Sequence, residues 1–179
     1  MMADEKARLR EQFRHDRRER VRSVTFDLLL ATPEIARAKI VASYISYGTE
    51  PSTQELNQSL LAKGVTLILP RLGERGIEWV TWDGKPENLH LAGRIQEPIG
   101  PEFSDLAAVD VVIVPALHID TYGYRLVNGG GYYDRALPAM SGWKVGLIYS
   151  GELTNDILPR ENHDIALSAA ATPDEVVRF

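Results

Sequence analysis

The apolar positions of this chain fall into short runs set between segments of helical period. Val111-Val-Ile-Val114 is continuously apolar, and Lys39 to Ser46, Val65 to Leu69 and Lys144 to Tyr149 are nearly so. Runs of this length read as strands buried on both faces. Pro70 is expected to close the second of them. Ile77 to Trp82 alternates and predicts an edge or antiparallel strand, with Trp79 and Trp82 as packing residues. Residues 3–31 contain no Gly or Pro and predict a helix, kinked between its charged and apolar halves, with Leu9, Phe13, Val21, Val24 and Leu28 as its buried stripe. Thr32-Pro33-Glu34 is a capping signal for a short helix. A further helix runs from Ser52-Thr53 to Lys63, where Gly64 stops it. Others are expected over 131–140 and, as a short helix or turn, over 151–158, with a last short strand from Ile165 to Ala170. Residues 83–102 are rich in Gly and Pro and read as a long, functional loop.

Strands alternating with helices predict an α/β fold: a single three-layer domain over 1–179, with a mostly parallel central sheet and helices on both faces. Residues 1–31 form a helical segment packed on it. The loops after Ser46, Pro70, Val114 and Tyr149 then share the carboxyl-end rim, where such sheets bind ligands.

Composition narrows the function. An apolar fraction of 44% in 179 residues supports one ordinary core. No apolar run approaches the ~20 residues of a membrane span, and the charged N-terminus is unlike a secretory signal. The absence of cysteine removes thiolate chemistry and suits a reducing cytoplasm. A net charge of −5 argues against nucleic acid as partner. Small-molecule substrates, no membrane and a monomer are expected. Residues 4–22 carry eight basic side chains against five acids. They read as a solvated helix face, with one or two arginines turned toward an anion.

The chemistry concentrates in Gly123-Tyr-Arg-Leu-Val-Asn-Gly-Gly-Gly-Tyr-Tyr-Asp-Arg135, after the Val111–Val114 strand. Three glycines let backbone N–H groups approach a ligand, and a following helix N-terminus adds its dipole. Neither the P-loop spacing nor the dinucleotide fingerprint fits. The surrounding Arg125, Tyr132, Tyr133, Asp134 and Arg135 make it a phosphate site with a carboxylate for a metal.

The string Arg125 to Arg135 resembles the signature of the 5-formyltetrahydrofolate cyclo-ligases. Asp110 to Asp120, Lys6-Ala-Arg-Leu-Arg10, Ile95-Gln-Glu-Pro98 and Leu158 to Asp164 resemble further elements of that family, in order along nearly the whole chain. The resemblance implies conversion of 5-formyltetrahydrofolate to 5,10-methenyltetrahydrofolate, with ATP as co-substrate and Mg²⁺ as cofactor. It implies that Lys6, Arg10, Arg125, Asn128, Gly129, Gly130, Gly131, Tyr132 and Tyr133 bind ATP. Arg125 and Tyr132 are the implied catalytic pair, and Asp134 and Asp164 the metal ligands. Tyr47, Glu50, Asn128 and Tyr132 are the implied folate contacts. For Tyr47, a rim aromatic is an equal reading, and one of the paired tyrosines is as well explained by packing.

The chain departs from the family pattern at Gly93, Gln96, Val127 and Ser168. Two other readings compete with the cyclo-ligase. One is a module that binds nucleotide or folate without turnover. The other is a different ATP-dependent phosphoryl-transfer enzyme on the same scaffold.

Overall fold

The computed structural model of the protein describes residues 1–179. The chain begins with α1 (Met2–Arg20), followed by the short helices α2 (Asp27–Leu30) and α3 (Pro33–Arg37). Strand β1 (Ile40–Ala42), helix α4 (Gln54–Ala62) and the antiparallel pair β2 (Thr66–Gly73) and β3 (Gly76–Thr81) come next. A hairpin follows, β4 (Leu89–Ala92) and β5 (Ile95–Pro98). Then come β6 (Val111–Pro115), β7 (His118–Asp120), β8 (Arg125–Leu126), α5 (Tyr132–Ala136), β9 (Trp143–Leu147), β10 (Leu153–Thr154), β11 (Ala169–Ala171) and β12 (Val176–Arg178).

The main sheet has seven strands in the order β12-β11-β9-β6-β1-β2-β3. Its inner pairs are parallel, and the two edge pairs are antiparallel. The order reverses between β1 and β6, which opens a crevice past their carboxyl ends. Alternation along the strands divides the core in two. Val41, Leu67, Val111, Ile113, Val145 and Leu147 pack with Phe26, Leu29, Ile35, Leu56 and Leu60 of the α2–α4 layer. Ala42, Ile68, Val112, Val114 and Ala170 pack on the opposite face with Ile119, Leu137 and Met140.

Several expectations are corrected. The 3–31 helix is broken: α1 stops at Arg20, residues 21–26 are not helical, and α2 restarts as a single turn. Its buried positions are Lys6 and Arg17, whereas Val21 and Leu28 are about half exposed. Of the expected stripe, Leu9, Phe13 and Val24 are partly buried, and the most deeply buried side chains of α1 are charged. Pro70 does not end β2, because β2 pairs antiparallel with β3 in a register that runs through Pro70↔Trp79. The 83–102 segment is not a loop but largely the β4–β5 hairpin, fastened by the buried Glu97, which accepts the Leu72 amide at 2.7 Å. The helix after the glycines is only the five residues of α5 followed by a 3-10 turn, so its dipole is that of one turn. The 151–158 segment carries β10, the last parallel strand is shifted to Ala169–Ala171, and β12 went unforeseen.

Other expectations hold. Trp79 of β3 and Trp82, just past its end, are buried packing residues. Thr32 caps α3, its hydroxyl accepting the Ile35 amide at 3.4 Å, a contribution of about 1 kcal/mol for a residue of this type.

Candidate active site

Two cavities meet at the carboxyl end of the sheet. The first, of about 220 Å³, is mainly apolar. The segment after β1 supplies Tyr44, Ile45, Tyr47 and Glu50, and β2 supplies Pro70 and Leu72. The turn after β6 supplies Pro115, Ala116 and Leu117, the hairpin supplies Ile95 to Glu97, and Tyr132 and Tyr133 complete the wall. These are the strand-end loops that crossover topology brings together. The second cavity, of about 320 Å³, is polar and is lined by Lys6, Arg10, Gly129 to Gly131, Asp134, Arg135, Glu161, His163 and Asp164. Arg125, Val127, Gly129 and Gly131 line both.

The glycine run is required by its backbone. Gly129, Gly130 and Gly131 have φ of 110°, 88° and 64°, a left-handed stretch that side chains disfavour. A Cβ on Gly130 would also lie 2.7 Å from the Tyr132 ring. Successive amides in such a turn form a concave anion seat.

Arg125 lies at the junction. Its side chain is 2% exposed and 3.6 Å from Asp134, too long for a hydrogen bond. Nη1 donates to the Pro115 carbonyl at 3.0 Å, but Nε and Nη2 have no hydrogen-bond partner. Burial lowers its pKa, and Asp134, Tyr133 and Asp164 offset this. A buried guanidinium with two idle nitrogens between two cavities is suited to an arriving anion.

Helix α1 spans the polar cavity. Lys6 Nζ donates to Asp164 at 2.8 Å and Glu161 at 3.0 Å. Burial opposes the Lys6 charge, but the hydrogen bonds and charges of Asp164 and Glu161 raise its pKa above the ordinary value. Asp164 is correspondingly held low: burial works against its charge, and Lys6 and the Glu161 amide outweigh burial. Arg10 donates to the Val127 carbonyl at 2.7 Å, and Arg14 Nε to Asn128 Oδ1 at 2.9 Å. The helix thereby holds the start of the glycine turn.

In the apolar cavity, burial pushes the Glu50 carboxyl up to about 7, against the backbone N–H of Tyr47, which it accepts at 3.0 Å, and the charge of Arg17. The paired tyrosines separate. Tyr133 packs edge-on to Trp79 and under Arg125, and burial drives its pKa upward. Tyr132 is 41% exposed at the rim, with Arg135 4.9 Å over its ring.

Lys6, Arg10, Arg125, Gly129, Gly130, Gly131, Asp134 and Asp164 therefore converge on the polar cavity, and Tyr47, Glu50, Asn128, Tyr132 and Tyr133 on the apolar one. Asp134 and Asp164 face the same cavity, but the tight group of metal-type donors, within 4.8 Å of one another, is Glu161, His163 and Asp164. Asp134 instead accepts the Ile165 amide at 3.1 Å. Of the departures, Gln96 and Val127 line the apolar cavity. Gly93 and Ser168 line neither cavity, and Ser168 Oγ accepts the Lys144 amide at 3.1 Å.

Sequence reasoning missed Tyr44, Glu161, Arg14, and the buried pair of Arg17 with Glu152. A signal existed for α1: Lys6, Arg10, Arg14 and Arg17 recur at helical spacing on one face, a cationic stripe where an apolar one is customary.

The model of the 5-formyltetrahydrofolate cyclo-ligase family matches residues 3–173. A 5-formyltetrahydrofolate cyclo-ligase of Mycolicibacterium smegmatis is 34% identical over 144 residues, 75% of this chain and 74% of that protein. Another from Escherichia coli K12 is 31% identical over 156 residues, 83% and 85% of the two chains. The solved structure of Aquifex aeolicus 5,10-methenyltetrahydrofolate synthetase superposes with a TM-score of 0.82 at 32% identity, over 97% of this chain and 92% of that one.

Proposed function

The chain belongs to the 5-formyltetrahydrofolate cyclo-ligase family, and from that premise we propose that it closes 5-formyltetrahydrofolate to 5,10-methenyltetrahydrofolate at the junction of its two cavities, releasing ADP and phosphate. The observation that carries this reading is the shared wall: Arg125, Val127, Gly129 and Gly131 border both cavities. A donor in the polar cavity and an acceptor in the apolar one then meet at Arg125.

In this reading the triphosphate lies in the polar cavity against Lys6, Arg10, Arg125 and the amides of the glycine turn. The reduced folate lies in the apolar cavity, its ring against Glu50, Tyr47 and Tyr132. The formyl oxygen attacks the γ-phosphorus and ADP leaves. N10 then adds to the activated formyl carbon and gives up its proton to solvent, and the C–O bond breaks as phosphate departs with the bonding electrons. Phosphoryl transfer needs position and charge more than covalent help. Arg125, already desolvated and short of partners, supplies both to the oxygens that gain charge. The ring-lined cavity excludes water that would otherwise intercept the phosphorylated formamide.

The polar cavity fits Mg²⁺. Its carboxylates, Asp134, Asp164 and Glu161, are hard oxygen donors facing one space. Asp134 and Asp164 are the residues assigned to hold the ion, with Glu161 added by position. A bound ion would supply charge neutralisation at the phosphates, and Lys6, which here donates to Asp164 and Glu161, would be the cation nearest those carboxylates.

In this reading the chain acts on small molecules as a monomer, with 1–179 as one domain whose own residues line both cavities. No helix is long and apolar enough to cross a membrane. A cytoplasmic place accords with the absence of cysteine.

The test is a turnover assay with Mg·ATP and 5-formyltetrahydrofolate, read by the near-ultraviolet absorbance of the methenyl product. Product growing with ADP release supports the reading. Folded protein that binds both substrates yet forms no product is instead a module without turnover. Asp134→Asn is expected to reduce turnover far more than stability.

A further inference from the structure

Among the polar atoms buried around the apolar cavity, Tyr44 Oη makes no hydrogen bond. Tyr44 is 4% exposed. Its main chain is pinned: the carbonyl accepts from Thr53 Oγ1 at 2.8 Å and from Asn57 Nδ2 at 2.9 Å. Asn57 is in turn fixed by Ser43 Oγ at 2.6 Å. The ring therefore has little freedom to reach water, and the hydroxyl stays desolvated and unpaired. Such a group is costly and calls for an explanation. A partner that arrives with the ligand supplies one.

The hydroxyl is available as a donor. Burial first, then the carboxyl of Glu50, hold the Tyr44 pKa well above the ordinary phenol value, so the proton stays on. Glu50 lines the same cavity, and one of its oxygens is already held by the Tyr47 amide. Tyr44, which carries an unpaired donor, and Glu50, which carries an acceptor, thus border one apolar space. That pair complements the edge of a flat heterocycle in which N–H donors stand beside a carbonyl.

We infer that Tyr44 reads the 4-oxo group of the reduced pterin, its hydroxyl donating to that carbonyl while Glu50 accepts from the neighbouring ring N–H and amino groups. This rests on the assignment of the apolar cavity to the folate. It makes Tyr44 a specificity residue for a 2-amino-4-oxo ring, since a site built to hydrogen-bond a substrate group discriminates against analogues lacking it.

The experiment is calorimetric titration of 5-formyltetrahydrofolate and, separately, of Mg·ATP into the wild-type protein and Tyr44→Phe, with thermal unfolding of both unliganded proteins. Tyr44→Phe is expected to weaken folate binding about tenfold and to leave ATP affinity unchanged. It is also expected to leave the unliganded protein as stable as the wild type or more so, because the substitution deletes an unpaired buried hydroxyl. A purely structural role would give the opposite stability result. Equal folate affinity in the two proteins, or a Tyr44→Phe protein that is less stable or unfolded, overturns the inference. If the wild type itself fails to bind the folate, the cavity assignment falls and the inference with it. Equal, tight binding by both removes Tyr44 alone and leaves the cavity assignment standing.

Discussion

Arg17 and Glu152 form a two-pronged ion pair, Nε to Oε1 at 2.8 Å and Nη2 to Oε2 at 2.6 Å, with side chains only 2% and 0% exposed. Arg17 Nη2 also donates to the Ala116 carbonyl at 2.7 Å, and Glu152 accepts the Tyr149 amide at 2.9 Å. One pair therefore ties α1 to the carboxyl ends of both β6 and β9. The neighbouring carbonyl of that turn, Pro115, is held by Arg125. The floor of the apolar cavity hangs between two guanidinium groups.

Removing one partner strands a buried charge. Glu152→Ala is expected to cost about 3–5 kcal/mol in urea unfolding, whereas Arg17→Met combined with Glu152→Leu is expected to cost much less. If the double variant loses as much as the single one, the pair itself carries the stability.

Lys6 bridges α1 to the polar cavity through Asp164 and Glu161. Lys6→Met is expected to weaken ATP binding about tenfold while folate binding changes little. Loss of folate affinity to the same extent would place Lys6 elsewhere. The pair also has a pH signature. Asp164 is held below the ordinary aspartate value, so its contribution is present at neutral pH and disappears as acid protonates it. Unfolding at pH 7 is expected to reveal the loss in Lys6→Met, and unfolding below pH 3 to hide it.

Glu50 titrates near 7 in the folded chain against an ordinary 4.5. Between these values the folded state holds a proton that the unfolded state has released, so stability falls as pH rises through that window. Glu50→Gln is expected to stabilise the unliganded protein at pH 8 by roughly 1–3 kcal/mol, yet to abolish the rise in folate affinity that is expected of the wild type from pH 6 to 8. A flat wild-type affinity profile would exclude the ionised carboxylate as acceptor.

His118 stacks on Phe13 of α1 with ring centroids 3.9 Å apart and planes 6° from parallel. Burial, then the charges of Arg20 and Arg17, lower its pKa to about 4, with Asp16 opposing. The unfolded chain takes up a proton that the folded chain refuses between pH 6.5 and 4. Stability is therefore expected to decline by roughly 1–3 kcal/mol as pH falls through that range. His118→Phe, which keeps a stacked ring, is expected to remove that part of the acid slope. An unchanged slope would mean other groups set it.

The sequence by itself determined the parallel core and the left-handed glycine turn. Val111–Val114 is apolar at every position because β6 is covered on both faces, and burial on both faces leaves no place for a polar residue. Gly129 to Gly131 announces its backbone, since only glycine adopts three left-handed conformations in succession at no cost. The family likeness supplied the proposed roles of residues whose spacing alone was uninformative, such as Lys6.

Tertiary structure decided what depends on partners far along the chain. The charged face of α1 looks solvated in sequence, because Glu152 and Asp164 lie 135 and 158 residues away from the arginine and lysine they hold. The β4–β5 hairpin escaped because its pairing is short and its anchor is the single buried carboxylate of Glu97. Tyr44 reads as one more apolar strand residue, and only the closed cavity leaves its hydroxyl without a partner. Local pattern records which faces avoid water. Which charges meet, and which polar atoms are left waiting, is set by long-range packing that no window of sequence contains.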